Sequence, residues 1–247
     1  DPQGGFIERD DNGEPTGLLV DMAMNLIADL IPKVTRANDK EAFLEGIKRN
    51  VSLGWTEIHV PGGTFEDIAI LNEIKSENDL LQRIYFMVSD GKPADRLLEN
   101  GPIIDPEYFL TIRAIKMYAD GALGSRGAAL LEKYSDYDGK GVFILLEEDT
   151  KPRLVKALQQ GIQIGTHAIG DHGNRVVLDW YEETFSKAKG KYQFFESPRW
   201  RIEHVQIIDT SDISLFNKKI IIRYHFLSGI ENALFRVNLK NHLKKQI

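Results

Sequence analysis

The chain has 247 residues, 42% of them hydrophobic and 28% charged, enough to bury a substantial core as a single α/β barrel or as one and a half smaller domains, with nothing that suggests disorder. A formal net charge of −6, from 37 acidic and 31 basic residues spread along the chain, leaves no basic footprint for a nucleic-acid partner. With no cysteine, disulfides and thiolate metal sites are excluded, so a bound metal needs His, carboxylate or modified Lys.

Residues 1–37 read as a lead-in segment. The opening DPQGGFIERDDNGEPTG lacks the apolar centre of a secretory signal, and no run approaches the roughly 18 apolar residues of a membrane helix. The expectation is a soluble, cytoplasmic chain with no membrane partner. Because the first residue is Asp1 rather than Met, the gene product is expected to continue upstream. After the turn-rich DDNGEP, the stretch LLVDMAMNLIADLI looks helical and reads as an excursion leading into the body of the domain.

Residues 38–247 alternate helix and strand. A helix from about Asp39 carries Ala42, Phe43, Ile47 and Val51 at helical spacing and is closed by Gly54. The strand WTEIHV comes next. Thr64 caps a helix with Phe65, Ile68, Leu71 and Ile74; then come the strand RIYFMVS, a short helix after Pro93 and the strand RAIKMYAD. Beyond a Gly-rich loop, a helix around Leu154, Val155 and Leu158 ends at Gly161, where the strand IQIGTH begins. Asp171 or Asn174 opens a helix with a stripe of Val176, Val177, Trp180 and Tyr181. Trp200 to Ile208 make a fifth strand, Ser211 caps a short helix, and KIIIRYHF is the sixth strand.

Such alternation implies parallel strands covered by helices through right-handed crossovers. The fold class expected is α/β, a (β/α)₈ TIM barrel of the metal-dependent hydrolase type with six recognisable strands, one strand unseen before Asn38 and another after Phe226. An open sheet of six strands is the alternative.

Three strand tips run into polar loops, at Lys116, His167 and His204, where barrels build their chemistry. Alternation gives Gln163, Gly165 and His167 one face, read as the barrel interior, and gives Ile202, His204 and Gln206 one face of the next strand. Each His taken singly reads as a satisfied core or loop histidine; their matching positions in the repeat favour a shared cation. Lys116 repels a metal as an ammonium, but as a carbamate it is an anionic oxygen donor able to bridge two ions about 3.5–4 Å apart. Snorkelling outward or pairing with Asp120 is the other reading of Lys116. Asp120, Asp171 and Glu203 are expected to stand behind the three ligands. Gly124, Ser125 and Arg126, in a Gly-rich loop starting at Gly121, are candidate substrate contacts or simply a tight turn, and His59 is a further candidate at the barrel mouth. No G-x-x-x-x-G-K is present, so no nucleotide cofactor is expected, and no Ser-His-Asp arrangement is legible around Ser125.

The stretches IKMYADGALGSRGAALLEKYSDYDGKG, THAIGDHGN and WRIEHVQII, in this order and spacing, resemble the amidohydrolase-3 type of the amidohydrolase superfamily, the branch similar to N-substituted formamide deformylases. The opening DPQGGFIERDDNGEPTGLL also resembles the segment before the second barrel strand of that family, so the likeness covers roughly residues 1 to 210. It implies a metal-dependent (β/α)₈ barrel that hydrolyses an amide-type C–N bond of a small molecule. Lys116 would be the carbamylated ligand after the fourth strand, His167 the ligand after the fifth and His204 that after the sixth, holding one or two divalent ions, with zinc expected. The family's His-x-His of the first strand and Asp of the eighth are absent from this sequence. Its Gln-Pro-x-His after the seventh strand is absent too, with His225 near the place. The alternatives kept open are a truncated or non-catalytic barrel that binds a ligand or partner, and a metal-free barrel enzyme of sugar or phosphate chemistry. The sequence leaves a homo-oligomer open.

Overall fold

The structure, a computed structural model, describes residues 1–192, 197–216 and 220–223. It begins with an antiparallel hairpin of β1 (Gly5–Arg9) and β2 (Pro15–Asp21), a two-stranded sheet separate from the rest. The remaining strands form one seven-stranded sheet. Its parallel order is β3 (Glu57–Pro61), β4 (Arg83–Ser89), β6 (Leu110–Tyr118), β7 (Gln163–Ala168), β8 (Trp200–His204) and β9 (Ile220–Arg223), with the two-residue β5 (Ile103–Ile104) antiparallel to the start of β6. Five helices alternate with them: α1 (Arg36–Ser52), α2 (Phe65–Ser76), α3 (Lys92–Asn100), α4 (Glu147–Gln160) and α5 (Asp171–Ala188). The sheet is a curled parallel part of a barrel. The eight strands of a closed (β/α)₈ barrel are not present among the described residues.

Local chemistry explains the helix limits. Thr64 and Asp67 form a reciprocal capping box at the start of α2, Thr35 caps α1, and Gly161 takes the left-handed conformation that closes α4. One face of the sheet and the helices share the core. Ile84, Phe86 and Val88 of β4, Ile164 of β7 and Ile202 of β8 pack with Leu71, Leu97, Leu158 and Tyr181 from the helices. Trp200, fully buried, lies 4.9 Å from the rings of both Tyr181 and Phe185. Burying an aromatic ring of this kind contributes about 1.5–3 kcal/mol.

The opposite face carries polar groups. Tyr85 donates its hydroxyl to Gln163, and Arg201 donates to Glu203 at 2.8 Å and to His59 Nδ1 at 3.0 Å. A bulge in β6 decides which side chains reach this face. Pairing with β4 steps from Phe86↔Ile112 to Met87↔Ala114, so Arg113 is an extra residue. Leu110 and Ile112 before it, and Ile115 and Met117 after it, all join the helix-side core. Lys116 is thereby turned to the polar face, in register with Ser89 and Gly165.

Several expectations need correction. The stretch LLVDMAMNLIADLI is not a helix: Leu19 and Val20 pair with Ile7 and Phe6, and only 3-10 turns (Met22–Leu26 and Ala28–Leu30) come after them. Strand pairing with the preceding segment overrides the helical spacing, and Asp21, at φ +49°, breaks the chain direction. The segment before Asn38, where a barrel strand is expected, forms this separate hairpin instead. The cap of the short helix (Thr210–Leu215) is Asp209, which accepts from Ser211 N, rather than Ser211. Of KIIIRYHF, Ile220–Arg223 runs parallel to β8; His225, the Gln-Pro-x-His position and any strand after Phe226 lie outside the described residues.

Candidate active site

The carboxyl ends of β6, β7 and β8 lie side by side, and each delivers one of the residues singled out from sequence. His167 is in register with Tyr118 on β6 and with Glu203 on β8. Its Nε2 is 3.2 Å from the Gly121 carbonyl and 3.4 Å from Asp120 Oδ1. A carbonyl only accepts, so Nε2 is the donor of this contact.

His204 reaches the same place by a different route. Along β8, Ile202 points into the helix-side core while Arg201 and Glu203 line the polar face, so alternation alone would send His204 outward. The face assigned to Ile202, His204 and Gln206 therefore does not hold. Positive φ at His204 (+81°) and Val205 (+47°) ends the strand and turns the imidazole back. Its ring meets that of His167 edge-on with centroids 4.6 Å apart. Val205 N and Ile207 N donate to Ala168 O and Ile169 O and hold this turn. A non-glycine residue at positive φ costs about 1–2 kcal/mol, more for a β-branched one.

Lys116 is 3% exposed, donates from Nζ to the Met117 carbonyl at 3.1 Å and lies 3.5 Å above the centre of the Tyr118 ring. It neither snorkels outward nor forms a close ion pair with Asp120. Burial brings its pKa down to about 7; Glu203 opposes the shift, Arg201 assists it and Asp120 opposes it.

Asp120 is a hub. It is 1% exposed, and its two oxygens accept backbone N–H groups from Ala129 (3.0 Å), Ile169 (2.9 Å) and Gly170 (2.8 Å), tying the long loop after β6 to the turn before α5. Asp171 accepts from Leu131 N and His172 N, so it fastens the same loop and makes no described bond to His167. Glu203 is 1% exposed and engages Arg201. His59 stacks on Tyr85 and bonds Arg201, within the polar face. In the Gly-rich loop Ser125 donates to Ala122 O and Arg126 pairs with Asp136 at 3.0 Å, while Gly124 has open space around it. These bonds fit a tight turn.

A cavity of ≈ 780 Å³ opens beside this cluster. Asp21, Tyr118, Asp120, Gly121 and His167 contribute to its wall. Among the described residues, Lys116, His204, His59 and the Gly124–Arg126 trio do not line it. Asp21, at the end of β2, escapes sequence reasoning; a lone acid inside LLVDMAM is the only signal. Burial raises its carboxyl pKa, His167 pulls it down and Asp120 pushes it up. Among the described residues no group of three or more His, Cys, Asp or Glu side chains is arranged to hold a metal ion.

The fold is similar to that of an uncharacterized metal-dependent hydrolase from Pyrococcus horikoshii OT3, with a TM-score of 0.66 over 87% of this chain and 43% of that one, at 22% identity. The chain belongs to the amidohydrolase family, whose profile matches residues 1–222. It is 31% identical over 220 residues to the putative amidohydrolase YtcJ of Bacillus subtilis (strain 168), covering 85% of this chain and 39% of the relative. It is 26% identical over 227 residues to the N-substituted formamide deformylase of Arthrobacter pascens, again 85% and 39%. The chain thus spans about two-fifths of the length of the curated relatives it matches. Among the described residues no helix is long and apolar enough to cross a membrane.

Proposed function

We propose that the chain carries part of a metal-dependent hydrolase site that cleaves an amide-type C–N bond of a small molecule. The observation that carries this reading is the edge contact of His167 and His204 from adjacent strands; on the neighbouring β6, burial brings the pKa of Lys116 down to about 7.

The donor set suits a divalent cation. His167 Nε2 donates to the Gly121 carbonyl beside Asp120, and carboxylates commonly back ligand histidines in this way. The neutral Lys116 amine can add to carbon dioxide, forming an N–C bond and releasing one proton, which gives an anionic carbamate. His167, His204 and carbamylated Lys116 would then hold the ion, zinc by the nature of the ligands. When bound, a divalent ion lowers the pKa of water and polarises a carbonyl. The chain's own part is to orient the imidazoles through Asp120 and the β8 turn, and to receive the substrate in the neighbouring cavity. Cytoplasmic location belongs to the same proposal, supported by a cysteine-free sequence that has no need of an oxidising compartment.

Metal content of the purified chain after equilibration with zinc and bicarbonate tests it. Near-stoichiometric zinc, lost in His167→Ala and in His204→Ala, supports the reading. No retained metal in any preparation favours the other one, a partial barrel that binds without turnover.

A further inference from the structure

Asp21 stands outside the barrel strands, yet four features single it out. Its backbone is at φ +49°, ψ −119°, unusual for any residue but glycine. Its Oδ2 is buried without a hydrogen-bond partner. A Cβ on Gly121 or on Gly127 would fall 2.2 Å from that oxygen, so the Gly-rich loop clears the space the carboxylate occupies. The residue also lines the cavity shared with His167. An unpaired carboxylate oxygen taken out of water costs more than the ~1–3 kcal/mol of a neutral group, and backbone outliers of this kind cluster at functional sites.

Beside Asp21 the cavity wall carries the acids Asp90, Asp120 and Asp149 and one arginine, Arg153. Asp120 spends both oxygens on backbone N–H groups, and Arg153 is tied to Asp90 (3.3 Å) and Asp95 (3.1 Å). Met22, Met24, Ile144 and Leu146 supply an apolar side. We propose that Asp21 determines specificity by receiving an ammonium or guanidinium group of a small ligand whose apolar part lies against these side chains. The proposal rests on reading this cavity as the substrate site of the hydrolase.

The test uses the full chain treated with chelator and three probes of one shape: benzylammonium, benzyl alcohol and benzoate, titrated by NMR. The unmodified chain is expected to prefer benzylammonium over the alcohol by about tenfold, as one charge-assisted contact provides, and to reject benzoate. Asp21→Asn, close in shape, should abolish the preference. Equal binding of the three probes to the unmodified chain overturns the proposal without needing any variant. So does an Asp21→Asn chain that keeps the amine preference, or one that loses only zinc uptake, since the carboxylate would then serve the ion. A chain that never takes up zinc but keeps the amine preference sinks the hydrolase reading and leaves the recognition role of Asp21 standing.

Discussion

His204 meets His167 edge-on, at 4.6 Å between ring centroids, although the pleat of β8 alone would send it to the helix side. Two consecutive residues at positive φ bring it round. The His167 ring in this pair is fixed by the Gly121 carbonyl and Asp120. In the metal-free chain His167 is therefore expected to carry a proton on Nε2 in ¹⁵N-edited NMR spectra. A protonated Nδ1 with a bare Nε2 would contradict the geometry on which the ligand assignment depends.

Removing the Asp120 side chain leaves three buried amide groups without acceptors. At about 1–3 kcal/mol for each such loss, partly relieved by rearrangement, Asp120→Ala should cost roughly 3–5 kcal/mol in urea unfolding. Asp120→Asn keeps one accepting oxygen and should cost less than half of that. Equal stability of Asp120→Ala and the unmodified chain would show that the loop does not depend on this carboxylate.

Two glycines offer a graded comparison. A Cβ at Gly170 would lie 1.9 Å from the Ala129 backbone oxygen, whereas one at Gly165 would meet the flexible Met87 Cε at 2.4 Å. Overpacking costs about 1–3 kcal/mol where side chains can yield. Gly165→Ala is expected in that range and Gly170→Ala above it, read as shifts in unfolding midpoint; the reverse order would refute the packing described for the loop.

Glu183 on α5 is held to a pKa of about 2 by Lys151 of α4 and by Lys187. Its folded value lies below the ordinary 4.5, so the unfolded chain binds the proton more readily. The stability it contributes is present above pH 4.5 and is lost as pH falls toward 2. Glu183→Gln should flatten the pH dependence of the unfolding midpoint in that window and leave it unchanged above about pH 6. Parallel curves for the two chains would show that the pairs are screened out in solution.

Much of the scaffold is legible in the sequence because apolar periodicity and capping act locally. The strand RIYFMVS matches β4 residue for residue, Thr64 caps α2, and Gly161 closes α4. The fifth strand reads as reaching Ile208 but stops at His204, since apolar alternation continues through a turn that only backbone dihedrals reveal. LLVDMAMNLIADLI misleads for a related reason: its helical spacing competes with β pairing to Phe6 and Ile7, and pairing wins.

By itself the sequence determined the β/α repeat, the caps at Thr64 and Gly161 and the candidacy of Lys116, His167 and His204, since these come from spacing along one chain. The tertiary structure alone decided which of them face each other. The extra residue in β6 turns Lys116 inward, the positive-φ turn returns His204 to His167, and the hairpin carries Asp21 between Gly121 and Gly127, far along the chain. Side-chain direction depends on register and backbone hand, which are set by contacts between distant segments and leave no periodic trace in the order of residues.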